Sequence, residues 1–520
     1  LSFALGEYAA RWEENWMTRP NRPNVLFLVS DQHNPHVMGC AGNRYARTPN
    51  IDRLAACGVR FDACYCQSPL CVPSRISLLT GQYAFKCFAW NNSSILYPDK
   101  LTLPQYLGNH GYETALVGKM HLKGPRWDGG FKHRPYGDIV VDRFCGHQPD
   151  PVETWDGRWC DHKVGRFPWA GETEIPESLL LDGVVTRESI AFLLEHVDKN
   201  PDVPWFFCAG YGRPHFPFTT PGRYFRRAMA DPPPLPPRPE GYPESLHPHD
   251  RYIVDDFHIY DFSDEIQQRT LAAYYACVNY LDDCIGELVD VLEREGLLDN
   301  TYVVYFSDHG EMAGEHGMWS KRTYYDASSR VPLIICGPDV PAGKVVNTPV
   351  ELVDLFPTVC DWVGIQIPDG LDGESLTPLY RGDGGTRQKR WARSEILIPN
   401  EHIEFRMARD ERWKYVEFPK ARPVLFDMLE DPEEKENLFD AKGDKKAVCE
   451  NVPLDKLKSI ASQGLDWDEI AARREAETKR RPQFKWDGPH GPLQYVLRDG
   501  RIVDADIFLY PGLAESDCRT

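Results

Sequence analysis

Two apolar runs that each end on an aspartate constrain this chain most. Asn24 to Ser30 (NVLFLVS) runs into Asp31, and Tyr302 to Ser307 (YVVYFS) runs into Asp308. Unbroken runs of this kind suit strands buried on both faces, as in a parallel sheet covered by helices. The carboxyl ends of such strands are where open α/β sheets place their sites. Three more runs read as strands of the same kind. Tyr112 to Val117 leads into Gly118-Lys119-Met120-His121, Trp205 to Ala209 leads into a segment containing His215, and Val331 to Cys336 follows Lys321. Helical patterns lie between them: Thr48 to Gly58, Leu101 to His110, Leu179 to Val197, and Ser263 to Glu295 before Gly296. This alternation predicts an α/β sandwich with a large, mostly parallel sheet flanked by helices.

After about Tyr380 the pattern changes. Ser394 to Ile398, Ile403 to Ala408, Trp413 to Phe418 and Val424 to Asp427 read as short strands separated by turn residues. They predict a smaller C-terminal α+β domain with an antiparallel sheet. The chain's 520 residues exceed one ordinary core. The expected division is a catalytic domain over 20–385, a small domain over 386–455, and an extension over 456–520. The extension is rich in large apolar groups such as Phe484, Trp486, Tyr495, Phe508 and Tyr510. That composition predicts packing on another subunit, on the site or on its own chain, and a homo-oligomer is expected. Tyr495 to Val503 reads as two short strands around Asp499-Gly500.

A formal net charge of −19 argues against a nucleic-acid or anionic-membrane partner. A few local cations can still receive a small anionic substrate. The 15 cysteines are scattered, and Cys64-Tyr65-Cys66 lacks zinc-ribbon spacing. Reduced thiols in a cytoplasm are the expectation. No apolar run is long enough to span a bilayer, and Leu1 to Pro20 does not read as a signal peptide, although an export signal removed earlier stays open.

The chemistry centres on Ser68 to Gly81 (SPLCVPSRISLLTG). Pro73 suits the first turn of a helix, where its missing N–H costs nothing. Cys71 is thereby held at a helix N-terminus, which favours an anion, and Arg75 lies one turn on. Each outlying candidate has a plain alternative. An aspartate after a strand is usually a cap, a lone lysine is usually solvated, and a lone histidine is more often structural than catalytic. The combination is more telling: DQ at Asp31-Gln32, CVPSR from Cys71, GKMHL, RPHFPF, SDHGE and GEHGMWSKRTYYDASSRVPLII.

These segments, in this order, resemble the type I sulfatases of the alkaline phosphatase superfamily, and the Asp31-Gln32 and Asp308-His309 pairs resemble choline sulfatases and phosphonate monoester hydrolases. The resemblance implies that Cys71 is oxidised to formylglycine by a formylglycine-forming enzyme, and that a geminal hydroxyl of the aldehyde hydrate is the nucleophile. It implies one divalent metal, calcium or manganese, on Asp31, Cys71, Asp308 and His309, with Gln32 left open as a ligand. Arg75 would orient the hydrate. Lys119 and Lys321 would hold sulfate oxygens, with Asn92 nearby. His215, with Lys321, would serve the leaving group, and His121 would remove the proton that expels sulfate. The implied activity is cleavage of a small organic sulfate ester. A phosphonate monoester or phosphodiester hydrolase is the alternative, and the G-K-x-H at Lys119 and His121 favours the sulfatase. A metal-bound protein without activity is the third reading. Trp127, Trp155, Trp159 and Trp169 are candidates for an aromatic wall over the alcohol part of the substrate.

Overall fold

The computed structural model describes residues 22–122, 124–136, 167, 170–173, 175–382, 387–398, 402–439, 451–481, 494–496 and 502–504. Its centre is an eight-stranded sheet. From edge to edge the strands are Lys344–Val346, Val59–Phe61, Leu333–Cys336, Thr301–Ser307, Asn24–Asp31, Trp205–Pro214, Glu113–Gly118 and His133–Tyr136. Leu333–Cys336 runs antiparallel to both neighbours, and every other pairing is parallel.

The central strand shows why its run is apolar throughout. Val25, Phe27 and Val29 join the core on one face, under the helices Cys71–Thr80 and Leu355–Val363. Leu26 and Leu28 join the other, under Pro49–Cys57, Leu181–Lys199 and the long helix Asp264–Arg294. Side chains alternate across a strand, so a strand with a helix layer on each side has no polar face. The expected mixed, mostly parallel sheet is therefore present.

Two of the boundaries that differ from the sequence reading have a clear physical cause. The run from Val331 to Cys336 is two strands, because Pro332 offers no N–H to a ladder. Arg330–Val331 pairs with Cys64–Tyr65 in a separate small sheet, and only Leu333–Cys336 enters the main one. The strand beginning at Trp205 continues past Ala209 to Pro214, because its pairing with the central strand resumes at Asp31 after an irregularity in register.

The C-terminal sheet is antiparallel in chain order: Ala392–Ile396, Phe405–Arg409, Trp413–Glu417 and Val424–Asp427. Leu457, Ile460 and Ala461 of the helix Leu454–Ser462 pack on Ala408, Tyr415 and Leu425 of this sheet. In the helix Trp467–Arg480, Glu477 accepts a hydrogen bond from the Tyr97 hydroxyl at 2.7 Å. The strands Gln494–Val496 and Ile502–Asp504 pair antiparallel as expected, and the first lies against His133–Tyr136 of the main sheet. The intervening Asp499-Gly500 lies outside the described residues, as do Trp155, Trp159 and Trp169. Trp127 is described, and it packs under the Arg134 guanidinium, 5.3 Å from its ring centre.

Candidate active site

Four neighbouring parallel strands deliver candidate residues to one place. Asp308 and His309 follow Thr301–Ser307, Asp31 ends Asn24–Asp31, His215 follows Trp205–Pro214, and Lys119 and His121 follow Glu113–Gly118. The helix Cys71–Thr80 begins at this edge, ends at Gly81 with φ 64°, and is buried along its length. Cys71 is its first residue, so its sulfur sits at the positive end of the helix dipole.

Ligand atoms of Asp31, Cys71, Asp308 and His309 all lie within 4.8 Å of one another, and all four residues are buried. The His309 ring faces Cys71, with Nε2 3.2 Å from Sγ. Its Nδ1 donates to the Gly310 carbonyl at 3.0 Å, which turns the Nε2 lone pair toward the cluster. Burial holds the His309 pKa down at about 4, so the ring is neutral near pH 7 and free to act as a ligand. Two carboxylates, a neutral imidazole and a sulfur in a closed group form a donor set that a divalent cation fits.

Cations surround the carboxylates. Arg75 Nε donates to Asp308 Oδ2 at 2.8 Å, its Nη2 to Asp31 Oδ2 at 2.9 Å, and its Nη1 to the Lys119 carbonyl at 2.8 Å. Lys119 Nζ lies 2.5 Å from Asp31 Oδ2. Burial alone would raise the Asp31 pKa, but the fixed positive charges beside it, Lys119 foremost, pull it well below the usual range. Lys321 Nζ donates to Cys71 Sγ at 3.4 Å and to Gln32 Oε1 at 2.6 Å. The close approach of Lys119 depends on glycine: a Cβ on Gly210 would sit 2.1 Å from the Lys119 carbonyl oxygen.

His215 Nε2 lies 3.9 Å from Asp31 Oδ1, and its Nδ1 donates to the Phe216 carbonyl at 2.6 Å. Burial first, then the nearby Lys321 charge, keeps its pKa well below the ordinary value. Asn92 accepts from the Val72 N–H at 3.1 Å and so touches the start of the cysteine helix. His121 is buried two residues past Lys119, in a left-handed turn at φ 59°.

Gln32, Ser320 and Arg322 also have positive φ, 68°, 80° and 76°. With His121 they bracket Asp31, Lys119 and Lys321, and strained backbone of this kind gathers at functional sites. Two residues were not anticipated. Ser74 donates to the Asp308 carbonyl at 2.6 Å, and Glu311 is buried against Gln32. Ser74 is visible in CVPSR, but its partner lies 234 positions away.

A centre with inward cations and a closed ligand group at the carboxyl edge of a parallel sheet is built to receive an anion. Comparisons with known proteins narrow this. The sulfatase family matches residues 23–365, and the C-terminal part of N-sulphoglucosamine sulphohydrolases matches residues 314–460. The choline-sulfatase of Rhizobium meliloti (strain 1021) is 32% identical over 407 residues, covering 76% of this chain and 78% of that protein. Arylsulfatase K of Bos taurus is 30% identical, covering 76% and 74%. Among solved structures, a phosphonate monoester hydrolase from Silicibacter pomeroyi aligns with TM-score 0.68 and 25% identity, covering 93% of this chain and 100% of that one. The chain belongs to the sulfatase family, in the alkaline phosphatase superfamily group, and is a hydrolase of sulfate esters.

Proposed function

We propose that this sulfatase cleaves a small organic sulfate ester with a nucleophile made from Cys71, beside a divalent metal held by Asp31, Cys71, Asp308 and His309. The observation that carries this reading is the Cys71 sulfur at a helix N-terminus, within the same 4.8 Å group as two carboxylates and a neutral imidazole. Formylglycine at Cys71 would supply a hydrated aldehyde as nucleophile, and the metal would supply charge for its deprotonation and for a sulfate oxygen.

The chain's own residues account for the rest. Arg75 fixes Asp31 and Asp308 in one orientation through its fork of donors. Lys119 and Lys321 offset charge on the sulfate oxygens in a site closed to water. His215 is neutral before substrate arrives, and a bound sulfate raises its proton affinity, so the ring can take a proton and give it to the leaving oxygen. His121 serves the reverse proton transfer during release. The likeness to choline-sulfatase and arylsulfatase K supports a small alcohol or phenol as the leaving half.

Phosphonate monoester hydrolysis is the second reading, favoured by the structural likeness to the Silicibacter pomeroyi enzyme. The Lys119 and His121 pair supports the sulfate ester instead. Intact-mass analysis of the Cys71 peptide and assay of a folded Cys71→Ala variant test the proposal together. The expected results are a formylglycine mass and loss of sulfatase activity. Wild-type turnover by Cys71→Ala would refute it.

A further inference from the structure

The structure assigns Glu311 as a positioning residue that sets Lys321 against Cys71 through the side chain of Gln32. This inference rests on the role proposed for Lys321 above. Glu311 lies two residues past His309 and is fully buried. Its carboxylate accepts from the Ala313 N–H at 3.1 Å, from the Ser320 N–H, and from the Gln32 side-chain amide. Gln32 in turn presents its Oε1 to Lys321 Nζ at 2.6 Å, and that ammonium reaches Cys71 Sγ at 3.4 Å.

The direction of this relay follows from donor and acceptor chemistry. Both oxygens of the Glu311 carboxylate accept N–H groups, so it holds the NH₂ end of Gln32. The carbonyl end must then face Lys321, which only donates. With a neutral amide in place of Glu311, Gln32 could turn over and present its NH₂ to the ammonium. A neutral acceptor would close the turns at Ala313 and Ser320 equally well. The carboxylate is needed only to fix the orientation of Gln32, and its burial is otherwise costly.

The second grip of Glu311 is on the backbone. Lys321 sits between Ser320 at φ 80° and Arg322 at φ 76°, neither of them glycine. Such conformations persist only where the surroundings over-determine them. Glu311 holds the Ser320 N–H, Met312 N–H donates to the Ser320 carbonyl at 2.7 Å, and Arg322 pairs with Asp256 at 2.8 Å. One carboxylate therefore fixes both the backbone beneath Lys321 and the acceptor that aims its ammonium. A misplacement of about 1 Å in a catalytic group costs on the order of 10²-fold in rate.

The test is a double-mutant cycle in the metal-loaded, Cys71-modified enzyme, using substituted phenyl sulfates as probes. Glu311→Gln is expected to lose about 10²-fold in kcat/KM, and more for poorer leaving groups. In a Lys321→Ala background it should lose almost nothing further. Full additivity of the two losses would overturn the relay and leave Glu311 a structural residue. A Lys321→Ala enzyme as active as wild type would remove the role of Lys321 itself, and the relay with it, which is a separate failure. Should Glu311→Gln not fold, Gln32→Leu enters the same cycle. Non-additivity with Lys321→Ala and an unchanged metal content support the relay, whereas metal loss with additive rates assigns Gln32 to the metal and overturns it.

Discussion

Replacing Arg75 with Met exposes how the carboxylates of the site are kept together. The guanidinium is fully buried and carries the shortest link between Asp31 and Asp308. Without it Asp31 still has Lys119 at 2.5 Å. Asp308 fares worse: its Oδ2 loses Arg75, and its Oδ1 keeps the Gln32 and His309 N–H groups at 3.2 and 2.9 Å. Removing one partner of a buried ion pair costs about 3–5 kcal/mol, because the other charge stays buried. Arg75→Met should therefore destabilise the chelator-treated enzyme by about 3–5 kcal/mol. Arg75→Lys keeps the charge but cannot reach Asp31, Asp308 and the Lys119 carbonyl together, so it should fall between. A divalent metal would take over part of the compensation, so the deficit should shrink when metal is restored. Urea unfolding of the three proteins, with and without chelator, measures all of this. A chelated Arg75→Met enzyme within about 1 kcal/mol of wild type would refute the reasoning.

Asp308→Ala should lose bound metal and sulfatase rate together, and elemental analysis showing a full complement of metal would contradict the ligand set. Asp282, on the long helix, accepts the Asn50 and Ile51 N–H groups at 3.1 and 2.8 Å and caps the helix Pro49–Cys57. Burial pushes its carboxyl up to about 7 from an ordinary 3.8, so the native state binds the proton more tightly than the unfolded chain. Stability should then fall as pH rises from about 4 to about 7 and level off above, by about 4 kcal/mol from this group, and Asp282→Asn should flatten that part of the curve. A pH-stability profile unchanged by Asp282→Asn would show that the carboxyl is not perturbed.

Part of the site was legible in the sequence because several candidates sit at or just past the end of a strand. Asp31, Lys119 and Asp308 are the first polar residues beyond apolar runs, and parallel pairing of neighbouring strands brings those ends to one edge whatever the loops do. The strand splitting at Pro332 was readable in principle, since proline cannot serve a central ladder. The extension of Trp205–Pro214 was not, because it depends on register with Asp31, 183 positions earlier in the pairing with Pro214. Glu311 was visible in SDHGE as one more acid. Its meaning lies in Gln32, 279 positions away, and no local pattern carries that contact.

The charge of the whole chain and the charges that line the site act over different ranges. At −19 the surface field repels a sulfate ester at long range, most strongly at low ionic strength. Inside, Arg75, Lys119 and Lys321 are matched by Asp31, Asp308 and Glu311, and all six are buried. Coulomb energies between buried groups are several-fold larger than those between solvated ones, because water no longer screens them. An ester that has entered therefore meets three unscreened cations at close range, whatever the exposed excess of acid outside. They are held there by the carboxylates: Lys119 by Asp31, and Arg75 by Asp31 and Asp308. The same two aspartates that form the ligand group thus stabilise the cations that receive the substrate. This explains why a soluble-type composition rich in acid is compatible with turnover of an anion, and why composition alone could bound the partners of this chain without revealing its site.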